Sequence, residues 1–186
     1  MDLALSLGAD YLGFIVYPSS PRGLSLERAV ELASRVPAGK RVLVDVESEP
    51  EVLRDAKDVG FDYFQVHSRL NVSFTSLAAW SSVVGKEHLW MAPRIAPEDS
   101  FPEMILEFAD TVVIDTFSKT QVGGTGATGD WGRFAEYKRH CPLSKMILAG
   151  GLSPDNIVEA ITSSETDYID VNSGIESSPG IKDASK

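Results

Sequence analysis

The sequence predicts an α/β fold, specifically a (βα)8 barrel of the TIM type. Short runs rich in β-branched residues alternate with amphipathic segments of helical length, the pattern of repeated βα units and a parallel sheet. Three successive predicted strands each end in a glycine-bearing turn, and barrels build their active sites at such strand ends. No linker, low-complexity segment or charge block divides the chain, so residues 1–186 are expected to form one domain.

The short apolar runs predict seven strands, one fewer than a complete barrel contains. They are Tyr11–Val16, Arg41–Val46, Tyr63–Val66, Leu89–Ala92, Thr111–Ile114, Met146–Ala149 and Tyr168–Val171.

The segments between these strands carry apolar residues at helical spacing. Ser25 has the side chain of an N-cap, and Pro154 occupies the first position of its segment, where proline is tolerated. The predicted helices are Ser25–Val36, Pro50–Val59, Phe101–Phe108, Trp131–Arg139 and Pro154–Ser163, with 71–86 as the weakest helical pattern.

The composition excludes several classes of protein. A formal net charge of -10 opposes binding to nucleic acid or to an anionic membrane surface. No apolar run approaches the roughly 20 residues that span a bilayer, and the start of the chain lacks signal-peptide features, so a cytoplasmic location is expected. The single cysteine, Cys141, excludes an intrachain disulfide.

The glycine turns predict an anion site. Gly150 and Gly151 follow one predicted strand, and Ser173 and Gly174 follow the next. Backbone N–H groups at such turns bind phosphate, although glycines also serve simply as turn residues. Because the acidic chain repels anions at long range, the site must depend on these amides and on a few cations, of which Arg22 is the leading candidate.

A series of short motifs carries a family resemblance through nearly the whole chain. The motifs are Gly8–Phe14, Ser20-Pro21-Arg22, Gln65-Val66-His67, Ile114-Asp115-Thr116, Gly123-Gly124-Thr125-Gly126, Asp130-Trp131, Ala149–Asn156, Asp170–Glu176 and Ser178–Asp183. No single motif is diagnostic, but their order and spacing resemble the phosphoribosylanthranilate isomerases of tryptophan biosynthesis. The resemblance implies an Amadori rearrangement driven by one general acid and one general base, with no metal and no organic cofactor.

The resemblance also implies roles for individual residues. Asp115 matches the general acid, whereas the residue pattern alone favours a turn-capping aspartate. Arg22, His67 and Asp170 match substrate-contacting positions, and a surface arginine and a structural histidine are the alternatives. The phosphate-binding positions are Gly150, Gly151, Ser173 and Gly174. Gly123, Gly124 and Gly126 match an active-site loop, in which this chain lacks a lysine that relatives often carry. Lys119 is a possible substitute for that lysine, with an exposed, solvated lysine as the alternative.

The general base is the main departure from the family pattern. Relatives place a cysteine on the first strand, whereas Cys141 is expected at the opposite end of the barrel. Asp45 is a possible substitute base, with a solvated strand end or a salt bridge as the alternative. Relative to the family, the first strand and the last helix are absent, so a chain of this extent is expected to have little isomerase activity and to form a homodimer or recruit a strand-completing partner.

Two other functions compete with the isomerase. One is a non-catalytic relative that binds a phosphorylated small molecule without turning it over, because the family's base is absent. The other is a different phosphate-handling barrel, such as an epimerase or a synthase. That reading is disfavoured because the three histidines are scattered over unrelated elements and show no metal-ligand spacing.

Overall fold

A computed structural model describes residues 1–116 and 129–186. Its main sheet has six parallel strands in the order β1-β2-β3-β4-β5-β6, so each strand neighbours the next one along the chain. The strands are β1 Leu12–Ile15, β2 Arg41–Val46, β3 Tyr63–Arg69, β4 Leu89–Arg94, β5 Thr111–Asp115 and β6 Lys145–Ala149. These positions confirm the first six predicted strands.

Helices lie between the strands and cover the outer face of the sheet. They are α1 Asp2–Ser6, α2 Leu26–Ala33, α3 Pro50–Asp58, α4 Phe74–Val84, α5 Trp131–His140 and α6 Ile157–Ser164. Ser25 caps α2 as predicted, its hydroxyl accepting from the Arg28 amide at 3.2 Å. The weak pattern at 71–86 is a genuine helix, capped by Ser73. None of the helices described is long and apolar enough to cross a membrane.

Two predicted elements are wrong in type. The segment Phe101–Phe108 contains only a 3-10 helix, Glu103–Glu107, which begins after Pro102 and buries Ile105 alone. One buried anchor in so short a segment does not offset the cost of nucleating an α-helix. The predicted strand Tyr168–Val171 is reduced to a single parallel bridge between Ile169 and Leu148 of β6.

The strand alternation sorts the core into two clusters. Phe14, Leu43, Phe64, Met91, Val112 and Leu148 face the helices and pack in the larger cluster. Val42, Trp90, Val113 and Ile147 face the opposite side and form a smaller cluster with Tyr11 and Tyr63. This second cluster is the interior of the barrel.

Lys145 shows how strongly the sheet curls. Its Nζ lies 4.8 Å from the ring centroid of Tyr11, next to β1, although Lys145 begins β6 at the other side of the sheet. The same Nζ lies 5.4 Å from the Trp90 ring and 4.2 Å from the Tyr168 ring. The ammonium group therefore joins both flanks of the sheet across the amino-terminal end of the barrel, held by cation–π attraction.

The chain ends in a hairpin that was not predicted. Strands β7 Glu176–Ser178 and β8 Ile181–Lys182 pair antiparallel, and Gly180 turns the chain between them with φ +84. The hairpin follows a 3-10 turn at Ser173–Ile175. Its position brings Glu176 and Lys182 to the carboxyl ends of the sheet strands, where the candidate site lies.

Candidate functional site

The predicted acid lies at the carboxyl end of β5. Asp115 is in register with Ala149 of β6, and it shares the interior-facing side of its strand with Val113. Its carboxylate is exposed at the barrel mouth, the end of the barrel where the sheet strands have their carboxyl ends. The next residue, Thr116, ties this strand end to β6, because its Oγ1 donates to the Ala149 carbonyl at 3.1 Å. The loop residues Lys119, Gly123, Gly124 and Gly126 lie outside the described residues.

His67 and Asp170 meet at the mouth through Gln65. Gln65 and His67 alternate along the interior face of β3, and their Nε2 atoms lie 3.0 Å apart. Gln65 also hydrogen-bonds Asp170, although Gln65 lies on the central strand β3 and Asp170 lies beside β6 at one flank of the sheet. Because the Gln65 amide group donates to both partners, His67 Nε2 is the acceptor and the ring proton is on Nδ1.

Burial shapes the charge of both titratable partners of Gln65. It lowers the pKa of His67, against the opposing field of the Asp170 and Asp115 carboxylates. It raises the pKa of Asp170, and the Gln65 hydrogen bond and the nearby His67 and Lys182 only partly oppose that effect. His67 is therefore neutral at pH 7, and the mouth contains a carboxyl group with an increased tendency to hold a proton.

The two predicted phosphate turns pack against each other. Gly174 approaches the Leu152 backbone so closely that a Cβ there would overlap the Leu152 carbonyl. Gly150 and Gly151 both have positive φ, of 96° and 64°, which glycine adopts without strain. Asn156 fixes the first turn by donating to the Gly151 carbonyl at 2.9 Å and accepting from the Ser153 amide at 2.9 Å.

The first turn leaves donors available to a ligand. Among the described residues, the N–H groups of Gly150 and Gly151 have no backbone or side-chain acceptor. Ser173 lies exposed at the start of the adjacent 3-10 turn. Convergent backbone amides of this kind form an anion-binding concavity at the strand ends of a barrel.

Arg22 lies at the mouth, in the turn after β1, and is held by Glu176 of the hairpin. Its Nε donates to Glu176 Oε1 at 2.9 Å, and its Nη2 lies 2.5 Å from Oε2. Lys182 contacts the same carboxylate, with Nζ 3.1 Å from Oε1. Hydrogen bonds from Arg22 and Lys182 lower the pKa of Glu176 from its ordinary 4.5 to about 2.

This lowered pKa predicts an acid-sensitive hairpin. A carboxylate whose folded-state pKa lies below its unfolded value contributes stability above about pH 4.5, and that contribution is lost as the pH falls towards 2. We expect the free energy of unfolding to fall on the order of 1–2 kcal/mol through this window because of Glu176. Urea melts at several pH values measure the slope. Glu176→Gln should flatten it, and an unchanged slope would contradict the prediction.

Asp45, the possible substitute base, and Cys141, which the sequence excludes from that role, both lie off the interior face of the barrel. Asp45 shares the helix-facing side of β2 with Leu43, and its carboxylate accepts a hydrogen bond from Ser48 Oγ. The structure therefore favours the non-catalytic interpretation of Asp45. Cys141 follows α5 and precedes β6, at the amino-terminal end of the barrel, where burial raises the pKa of its thiol.

The described residues offer no cluster of metal ligands. Within residues 1–116 and 129–186, no group of three or more His, Cys, Asp or Glu side chains is arranged to hold a metal ion. The polar groups that converge on the mouth are instead proton carriers, cations and backbone amides. This set can bind an anionic molecule and transfer protons to it.

Comparison with known proteins agrees with this chemistry. The family model described as "N-(5'phosphoribosyl)anthranilate (PRA) isomerase" matches residues 1–186. The chain belongs to the N-(5'-phosphoribosyl)anthranilate isomerase family. It is 32% identical over 185 residues to the isomerase of Trichormus variabilis, covering 97% of this chain and 86% of the relative. It is 33% identical over 187 residues to that of Aquifex aeolicus, covering 96% and 84%.

Solved structures of N-(5'-phosphoribosyl)anthranilate isomerases share the fold. The Thermotoga maritima isomerase superposes with a TM-score of 0.75 at 28% identity, covering 98% of this chain and 86% of that one. A family member in complex with reduced 1-(o-carboxyphenylamino)-1-deoxyribulose 5-phosphate gives 0.73 at 26% identity, with 98% and 86% covered. These comparisons confirm the predicted (βα)8 barrel fold class. The described residues form six of its parallel strands in a curled, partial barrel.

Sequence reasoning missed four residues of the mouth. Gln65 alternates with His67 on one strand face, so strand parity alone could have predicted it. Arg94 ends β4 on the interior side and lowers the pKa of His67 through its charge. Glu176 gave no such signal, because Arg22 lies 154 positions away in the sequence, and Lys182 reaches the mouth only through its contacts with Glu176 and Asn172.

Proposed function

We propose that this protein converts N-(5'-phosphoribosyl)anthranilate to 1-(2-carboxyphenylamino)-1-deoxyribulose 5-phosphate in tryptophan biosynthesis. The observation that carries the proposal is the meeting of two glycine turns beside a mouth that contains Asp115, His67 and Asp170. A relative of the same fold is known with the reduced form of this product bound. Family membership over the whole of residues 1–186 supports the same reaction.

Each residue of the mouth is assigned a role that follows from its chemistry. Asp115 protonates the ribose ring oxygen, which opens the ring to an imine. Arg22 attracts the carboxylate of the anthranilate ring, and Asp170 and neutral His67 contact the atoms between that ring and the sugar. Gly150, Gly151, Ser173 and Gly174 hold the phosphate at the other end of the molecule. A base then removes the C2 proton of the protonated imine, and the resulting enol becomes the 2-keto product when C1 gains a proton and the hydroxyl group loses one, so the rearrangement needs no cofactor.

Phosphate binding directly tests the assignment of the two glycine turns as the anion site. We expect inorganic phosphate and the reduced product analogue to compete for one site, because both place a phosphate on the amides of Gly150 and Gly151. Calorimetric titration measures the competition, and a crystal soaked in phosphate locates the anion. A well-ordered anion elsewhere, with the two glycine turns empty, would contradict this assignment.

Ligand binding without turnover is the second candidate function. The observation that favours it is the position of Cys141, which lies at the end of the barrel opposite the mouth. A fluorescence assay of anthranilate-ring consumption separates the two functions. The isomerase depletes its substrate, whereas a binding protein holds the product analogue and leaves the substrate unchanged.

We further propose one cytoplasmic barrel domain that associates with a second copy of itself. Among the described strands, β1 pairs only with β2, and the one β-bridge of the segment at 168–171 is to β6. Leu7 and Ile169 are 77% and 42% exposed near these flanks. The Thermotoga maritima relative is dimeric, and a solved structure shows monomers generated from it. Sedimentation at several concentrations measures this association.

A further inference from the structure

Glu176 is a buried carboxylate at the mouth with no place in the proposed proton transfers. Its side chain is only 4% exposed, and it binds Arg22 through two nitrogens, Nε and Nη2. The pair joins the turn after β1 to the first residue of the hairpin, 154 positions away in the sequence. A buried carboxylate that is forked onto an arginine holds that arginine in one orientation.

The fork leaves the other edge of the guanidinium available. An arginine presents two pairs of N–H groups that match a carboxylate, one through Nε and Nη2 and one through Nη1 and Nη2. Glu176 occupies the first, and among the described residues Nη1 of Arg22 has no hydrogen-bond partner. Because the Arg22 side chain is 23% exposed, a second carboxylate can reach the remaining edge from the mouth.

Glu176 is itself fixed from the hairpin side. Its Oε1 accepts from Lys182 Nζ at 3.1 Å and from the Gly180 amide at 3.3 Å. The same Lys182 ammonium donates to the Asn172 carbonyl at 2.8 Å, one residue before the second phosphate turn. A continuous set of charged contacts thus connects Arg22 to the segment that begins the Ser173 turn.

We propose that Glu176 is a positioning residue that aims the free edge of Arg22 at the carboxylate of the aryl group, and so sets the preference for a carboxylated substrate. The inference rests on the proposed function and extends it to substrate selection. Glu176 acts through Arg22 and does not touch the substrate. Through Lys182, Glu176 also fixes the position of Arg22 relative to the phosphate turns. Arg22 and the phosphate turns must bind opposite ends of one molecule.

A pair of ligands separates positioning from general stability. One is reduced 1-(o-carboxyphenylamino)-1-deoxyribulose 5-phosphate, and the other is the same molecule without the carboxyl group. Glu176→Gln should weaken binding of the first about tenfold or more and change binding of the second less than about threefold. Glu176→Asp keeps the charge with a shorter reach and should give an intermediate loss for the first ligand alone. Calorimetry measures both affinities, and circular dichroism verifies that each variant folds.

The chain offers a matched control. Glu47 makes a similar forked pair with Arg69, at 2.7 and 2.9 Å, with the Arg69 side chain 73% exposed. Glu47→Gln should leave both affinities unchanged. Equal weakening of both ligands by Glu176→Gln would overturn the inference, as would tighter binding of the carboxylated ligand, because Glu176 would then compete for Arg22. A parent protein that binds neither ligand would overturn the proposed function and the inference together.

Discussion

Asp115→Asn is expected to reduce isomerase turnover at least about a hundredfold, the usual scale for loss of a general acid. Asparagine has nearly the same shape as aspartate, so the end of β5 keeps its register with β6. An amide has no acidic proton to transfer to the ribose ring oxygen, and ring opening becomes the slow step. The fluorescence of the anthranilate ring, followed under single-turnover conditions, measures the effect.

Binding measurements distinguish this loss from a general disturbance of the mouth. The affinity for the reduced product analogue should stay within about threefold of the parent value, because the analogue needs no proton from Asp115. Asp58→Asn is a suitable control, since Asp58 is an exposed residue at the end of α3, on the outside of the barrel. Equal turnover by Asp115→Asn and the parent would remove Asp115 from the mechanism.

The parts of the fold predicted from sequence are those that local patterning determines. β-Branched runs located six strands, and the Ser25 N-cap located the start of α2. The segment at 168–171 has the same kind of pattern but forms one bridge, because a strand needs a partner ladder and the sequence does not show where that ladder comes from. Strand formation there is decided by tertiary contacts.

The candidate site, like the fold, has features that local sequence patterns predict and features that they do not. Strand alternation places His67 and Asp115 on the interior face, and a parallel barrel brings all carboxyl strand ends to one mouth. The contacts that set the charges are not local. Gln65 reaches Asp170 across the barrel, and Glu176 finds Arg22 from a hairpin that no hydrophobic period predicts. Pairings of this kind depend on how far the sheet curls, which the sequence pattern does not specify.

The structural corrections also limit the candidates for proton transfer. The alternation of β2 turns Asp45 towards the helices, so its position near the strand end does not bring it into the mouth. Asp170, by contrast, faces the mouth, and burial raises its pKa. A carboxyl group in that environment holds or releases a proton nearer to neutral pH than an ordinary aspartate does.

Gly174→Ala is expected to abolish measurable phosphate binding and to lower the free energy of unfolding by about 1–3 kcal/mol, the range for overpacking a tight contact. The added Cβ would overlap the Leu152 carbonyl, which is backbone and cannot move aside as a flexible side chain can. Either the 3-10 turn or the Gly150–Ser153 turn must shift, and the amides of the two turns then cease to converge on one anion.

Gly132→Ala provides the matched control for this substitution. Gly132 lies in the first turn of α5, and a Cβ there would meet only Asp130 Oδ1, at 3.9 Å. Alanine favours a helix over glycine by up to about 1 kcal/mol, so this variant should bind phosphate normally and melt at the same temperature or higher. Calorimetric titration and thermal melts compare the two variants. Unimpaired phosphate binding by Gly174→Ala would show that anion binding does not depend on contact between the two turns. The anion site would then have to be assigned to the Gly150–Ser153 turn alone.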